Sequence, residues 1–430
     1  GSNTFIGAGA GKDFTTGYEN VAVGEVAGES ITTGYRNVII GKSAGAATTS
    51  TIGMVLIGYR AGASINSADS NFTVAIGQSA GEYITSGQQQ TLVGYRAGVS
   101  ISTGDGNTFL GYNAGDALTT GLENVAVGAN ALGANQTGQR AVAIGNSALL
   151  NSTATGWTKN TAVGNSALGS IVSTTSNTGV GYHAGYAATG GENTIVGADA
   201  GYYLVGTDSV HIGFETGKFA SGSFNTLIGG AAGKGGTTSA PYSSGQNNTA
   251  VGYKALTAFT TGNRNIAVGD QAAYRLTTGG YNVAIGDLSL AATGMSGNHN
   301  VVLGYYAGGQ ISSGEDNIAL GRNSLAYSTT ANDNIAIGQY ASHRTGQYIA
   351  ATNTIAIGRF SGYHNQGSYN VFMGYYAGYG SSAGANSPGV SNVGIGSSAL
   401  QSFISGSQNT AVGRHALLSN IDGSDSTAIG

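Results

Sequence analysis

Residues 20–36 read NVAVGEVAGESITTGYR, and the same string starts again at Asn37 with NVIIG. Taking Asn20 as position 1, the shared pattern is Asn, a β-branched residue, a small or apolar one, an aliphatic one, Gly, two variable residues, Ala, then Gly or Leu. A looser tail follows that often reads Thr-Thr-Gly. Further copies open at Asn3, Asn107, Asn124, Asn265, Asn282, Asn317 and Asn409. The Gly at position 5 anchors the register from Gly7 to Gly430, and 14 of the 24 intervals between successive anchors are 17 residues long. A fixed period of this size marks a stacked-repeat architecture.

Position 2 is Val, Ile or Thr in all 25 copies, and position 4 is apolar in all 25, from Ile6 to Ile429. Residues two apart point to one face of a strand, so these rows predict a continuous buried ladder. Gly recurs too often for helix, and no 3.6-residue stripe is present. The fold class is therefore all-β, a parallel β-solenoid of about 24 coils with a 17-residue repeat. The whole chain, 1–430, reads as one continuous array cut from a longer fibre, with loop insertions near 62–72, 150–159, 234–247, 343–353 and 379–391. At one coil per ~4.8 Å, such an array makes a rod about 115 Å long.

Eighteen copies carry Asn at position 1: Asn3, Asn20, Asn37, Asn107, Asn124, Asn160, Asn177, Asn193, Asn225, Asn248, Asn265, Asn282, Asn300, Asn317, Asn334, Asn370, Asn392 and Asn409. Asn stacked at one turn of every coil can bond its amide to the coils above and below. The anchor Gly is expected to supply a bend with φ > 0 or a close backbone approach. Ala at position 8, in 20 of 24 copies, keeps the coil thin.

Composition narrows the function classes. The 430 residues include 76 Gly, 2 Pro and no Cys, with 8% charged and 40% hydrophobic residues. An ordinary soluble domain carries about 25% charge. A net charge of −4 with unclustered Lys and Arg leaves no footprint for nucleic acid. No apolar run approaches the ~18 residues of a membrane helix, so no membrane insertion is expected. Position 3 is apolar in 22 of 25 copies, including Phe5, Ile39, Leu56, Leu92, Phe109, Leu227, Val302 and Phe372. If positions 2 and 4 face the coil interior, position 3 faces out, and an apolar outer row calls for a partner. The expected partner is the chain itself, as a parallel homotrimer with third positions at the interface.

Units such as NVAVGANALGANQTG (Asn124–Gly138), NTAVGNSALGS (Asn160–Ser170) and NTAVGYKALTAFTTGNR (Asn248–Arg264) resemble two repeat groups. One is the head repeat of YadA-like trimeric autotransporter adhesins; the other is the repeat array of phage tail fibres that often precedes an intramolecular chaperone. The likeness runs from Asn3 to Gly430, and the 17-residue spacing with Thr-Thr-Gly is closer to the tail-fibre array. The resemblance implies a trimeric parallel β-roll or β-helix, an extracellular location on a virion fibre or cell surface, and a role in adhesion or receptor recognition.

Binding sites on repeat proteins sit on insertions. The long intervals hold Trp157, Tyr242, His343, Tyr348 and Tyr379, together with Pro241 and Pro388. These aromatics are the candidate contacts to a cell-surface glycan or protein receptor. A Tyr stripe follows the anchor at Tyr59, Tyr95, Tyr112, Tyr182, Tyr253, Tyr305 and Tyr375. It reads as a packing ladder more readily than as a glycan platform. The six His lack metal-ligand spacing, and neither a nucleophile elbow nor a recurring carboxylate pair is present. No cofactor or metal is expected, and the chain reads as a non-enzyme: a fibre shaft presenting a host-binding surface. A bacterial surface adhesin or matrix filament is the alternative. Ice binding by threonine files such as Thr15-Thr16, Thr32-Thr33, Thr119-Thr120 and Thr277-Thr278 ranks lower.

Overall fold

Each β-branched–X–aliphatic triplet forms a three-residue strand, from Thr4–Ile6 to Thr427–Ile429. The computed structural model describes residues 1–67, 70–236, 242–343, 351–380 and 387–430. The chain divides into two compact units, Gly1–Asp208 and Ser209–Gly430. Each is a parallel β-solenoid, and no α-helix occurs among the described residues. In the first unit Thr4 pairs with Val21, Val21 with Val38, and so on to Thr178 with Thr194. In the second the ladder runs from Val210 with Thr226 to Thr410 with Thr427. Every pairing is parallel and in register, so each repeat position forms a column along its unit. The long intervals, such as 226 to 249, leave this register intact.

The side chains face the opposite way from the sequence expectation. Position 3, the middle residue of the strand, is the buried one: Ala22, Ile39, Leu56, Leu92, Phe109 and Val302 are all fully buried. Positions 2 and 4 are half-buried or exposed, as in Thr108–Leu110 and Val301–Leu303. The ladder of Val, Ile and Thr therefore lies on the outer surface of the coil, and the third positions cannot be the contact to other chains. Both faces of this strand are apolar, so alternation alone does not orient it.

The interior is completed by Ala at position 8 and by an aliphatic or aromatic residue at position 12. Ile31, Ile65, Ile84, Ile101, Leu118, Phe259 and Phe403 take that second place, all buried. Positions 3 and 9 share one space and compensate in size. Leu56 faces Gly62, where an added Cβ would lie 2.8 Å from Leu56 Cδ2; Leu227 stands against Gly233 at 2.5 Å in the same sense. Leu at position 9 occurs only where position 3 is small, as in Ala126 with Leu132, Ala162 with Leu168, Ala250 with Leu256 and Gly394 with Leu400, while other small third positions, such as Ala22 with Gly28, leave the space to neighbouring side chains. Position 9 is left-handed in both cases, φ +58° at Gly62 and +52° at Leu256. A non-Gly residue there carries a steric cost, which filling the core offsets.

The anchor glycines meet both expectations at once. Gly24 has φ +138°, and a Cβ on it would lie 2.6 Å from the carbonyl oxygen of Gly41 in the next coil. Two further left-handed corners per coil, at positions 7 and 17 (Val26 and Arg36), turn their amides to the previous coil, bonding Ala8 and Tyr18 carbonyls at 2.8 and 3.1 Å.

Polar columns clip the coils together. Asn265 accepts at Oδ1 from the Asn282 backbone N–H at 3.0 Å and from its Nδ2 at 3.1 Å; Asn265 Nδ2 donates to Gly279 O at 2.9 Å. Asn20, Asn107, Asn248, Asn282, Asn300, Asn317 and Asn392 repeat this arrangement. Gln90 substitutes for Asn in one coil, its Nε2 reaching Gly104 O at 2.5 Å. Hydroxyls at position 13 form a second clip: Thr15, Thr119 and Thr260 Oγ1 donate to the next coil's carbonyls at 2.9, 2.9 and 3.0 Å.

Candidate functional site

The five aromatics expected from the sequence do not form one site. Trp157 belongs to the first unit, Tyr242, His343 and Tyr379 to the second, and Tyr348 lies outside the described residues.

Trp157 is 57% exposed. The 19-residue interval around it leaves room for a second small parallel pairing, Gly156–Trp157 with Gly138–Gln139. That pairing holds the indole beside position 17, where the Arg140 guanidinium lies 4.2 Å and the Lys159 ammonium 5.4 Å from the ring centroid. Cations over an indole face are attracted by its quadrupole. Arg140 is already neutralised by Glu123, Nε to Oε2 at 2.7 Å. Tyr242 stacks on Phe219 with centroids 6.1 Å apart.

His343 and Tyr379 come together through residues that the sequence reading passed over. Position 7 of three successive coils supplies Tyr340, Phe360 and Tyr376, with ring centroids 5.3 and 5.0 Å apart. Position 10 of the same coils supplies His343, Tyr363 and Tyr379, stacked at 4.9 and 5.2 Å with interplanar angles of 10° and 9°. The two columns touch sideways at Tyr340–His343, Phe360–Tyr363 and Tyr376–Tyr379. A signal existed in the sequence: GRFSGYH and GYYAGYG place aromatics three apart after successive anchors.

The rings spend their faces on one another, at the spacing of the coils. His343 is buried, and burial, then the neighbouring His364, pushes its imidazole down to about 4. Burial raises Tyr363, with Tyr379 and Tyr340 adding to it. The array is thus uncharged near neutrality except at its margin, where Arg359 lies 4.8 Å from the Phe360 centroid. An external ligand meets half-exposed ring edges and hydroxyls rather than open faces.

The tyrosines after the anchor are exposed to between 39% and 55%, and Tyr95 stacks on Tyr112 at 5.2 Å. Position-13 hydroxyls have their protons committed to carbonyls of the next coil, and the position-14 threonines Thr33, Thr120 and Thr278 are the more exposed file. Among the described residues no group of three or more His, Cys, Asp or Glu could hold a metal ion, and no helix is long and apolar enough to cross a membrane. No family model matches the chain, and no curated protein matches it.

Proposed function

We propose that this chain forms the shaft of a receptor-binding fibre, assembled as a parallel homotrimer and presenting aromatic and polar side chains to a cell-surface glycan or protein. The observation that carries this reading is the outward pair of rows at positions 2 and 4, the first all Val, Ile or Thr and the second apolar throughout. Ile40, Leu110, Ile144, Ile266, Val301 and Leu303 are 38–49% exposed although each is stacked on its neighbours in the column. A monomer rarely leaves so long an apolar strip in water. Chains that set these rows against one another remove them from solvent and keep the insertions outside. The likeness of the repeats to tail-fibre arrays supports the same reading, with a place outside the cell on a virion fibre, and a non-catalytic, mechanical role.

The test is the mass of the full chain in solution by light scattering, followed by its adherence to intact cells. A mass of three chains with specific adherence is the expected result. A mass equal to one chain removes the assembly, and a trimer that adheres to no surface removes the display role.

A further inference from the structure

A groove of about 370 Å³ opens on the second unit, lined by Ser244, Gln246, Asn247, Thr261, Asn263 and Arg264. It lies where the 23-residue interval from Gly229 to Gly252 rejoins the regular coil. All six side chains are exposed, and none is acidic. We propose that this groove binds a carboxylate-bearing oligosaccharide, with Arg264 as the group that pairs with the carboxylate. The proposal rests on the display reading above and gives it a ligand class and a location.

Arg264 stands at position 17, a column in which arginine elsewhere has a carboxylate one coil before it. Arg36 bonds Glu19 at 2.9 Å and Arg140 bonds Glu123 at 2.7 Å. One coil before Arg264 stands Asn247, and one coil after it Tyr281. Arg264 donates to the Tyr281 hydroxyl, and its guanidinium lies 5.2 Å from that ring's centroid. Among the described residues no carboxylate takes its charge. An arginine whose fork is oriented by a phenol but left without an anion is ready to pair bidentately with a carboxylate.

The rest of the groove suits a sugar. Asn263 Oδ1 is used inside the wall, accepting from the Gln246 backbone N–H at 2.7 Å, and so fixes the carboxamide while its Nδ2 donors carry no bond among the described residues. Gln246, Asn247, Ser244 and Thr261 add donors and acceptors for ring hydroxyls. Phe224, 53% exposed, stands in the same column one coil outside Asn247 and offers a ring face, whereas Tyr281 lies between Arg264 and His299, on which it stacks at 5.1 Å. Phe224 and Arg264 are two coils apart, about 10 Å, a span that fits a short oligosaccharide with its carboxylate at one end and an apolar ring face against the other. No apolar recess is present among the lining residues to take a protein side chain. The Trp157 cluster is a weaker candidate, because its arginine is already paired.

The experiment measures binding of the full chain to oligogalacturonate, hyaluronan oligosaccharide and sialyllactose, with dextran and dextran sulfate as controls. We expect saturable binding to at least one carboxylated sugar, at least tenfold weaker in Arg264→Ala and only partly restored in Arg264→Lys, with dextran not retained. Phe224→Ala should weaken binding several-fold without altering the circular dichroism spectrum. Binding of dextran sulfate alone, binding unaffected by Arg264→Ala, or binding to none of the carboxylated sugars overturns the proposal. Where Arg264→Ala leaves adherence to whole cells intact, this groove is wrong while display stands; where the unaltered chain adheres to nothing, display itself fails.

Discussion

Truncating one asparagine in the position-1 column strands several buried groups together. In Asn265→Ala the Asn282 amide loses the oxygen that accepts both its backbone and side-chain protons, and Gly279 O loses its donor. An unsatisfied buried polar group costs about 1–3 kcal/mol, so the variant is expected to lose about 2–4 kcal/mol. Urea midpoints check this, and Asn265→Gln should recover part of the loss, since Gln90 occupies the same column elsewhere. His211 offers a pH-dependent counterpart. It takes an interior third position, fully buried, with neither ring nitrogen hydrogen-bonded, and burial pushes its pKa from 6.5 down to about 4. The neutral ring is the form that folding accepts. Its contribution is complete above pH 6.5 and declines as pH falls toward 4, where protonation costs about 3 kcal/mol. Unfolding midpoints across that window should fall more steeply for the native chain than for His211→Leu; parallel curves would show the ring to be solvated.

Strand by strand, the coil depends on complementary sizes at positions 3 and 9. Ala250→Leu, with Leu256 retained, overpacks one coil and should cost about 1–3 kcal/mol. Adding Leu256→Gly should restore most of that, because Gly accepts the left-handed backbone at 256 and vacates the volume. A double-mutant cycle gives the coupling directly, and additive losses would contradict the shared space. This complementarity is the sequence signal that orients the strand, and the uniform rows at positions 2 and 4 point the other way. Period, strand identity, register, the asparagine column and the anchor bend were all legible, because each is a repeated demand on one residue. Facing was not, because uniform β-branched rows suit an outer wall whose identical side chains stack on each other as well as they suit a core. An interior has to compensate a large residue with a small one, as Phe109 does with Gly115 and Ala126 with Leu132. That covariation identifies the inside. The aromatic array escaped for a related reason: its members are spread over three repeats and meet only once the coils are stacked.

Over the molecule as a whole, the outer rows decide how many chains are needed. Twelve triplet strands in the first unit and thirteen in the second, each about 10 Å wide and ~4.8 Å from the next, form an outer strand face of roughly 600 Å² per unit, lined by the half-exposed apolar row at position 4. Replacing Ile266 and Val301 with Glu should therefore lower the solution mass toward one chain while the circular dichroism spectrum stays that of a β-protein. An unchanged mass would place the interface elsewhere. The column of anchor glycines has a different consequence. Since the space beside Gly24 is closed by the backbone of the coil that follows, and nearly every anchor glycine repeats that approach, the seam is indifferent to how many turns precede or follow it. Unequal recombination between neighbouring units in the coding sequence, adding or deleting one whole 17-residue turn, would leave every remaining joint as it was, so a lineage could lengthen or shorten this array in single-turn steps without redesigning any part of it.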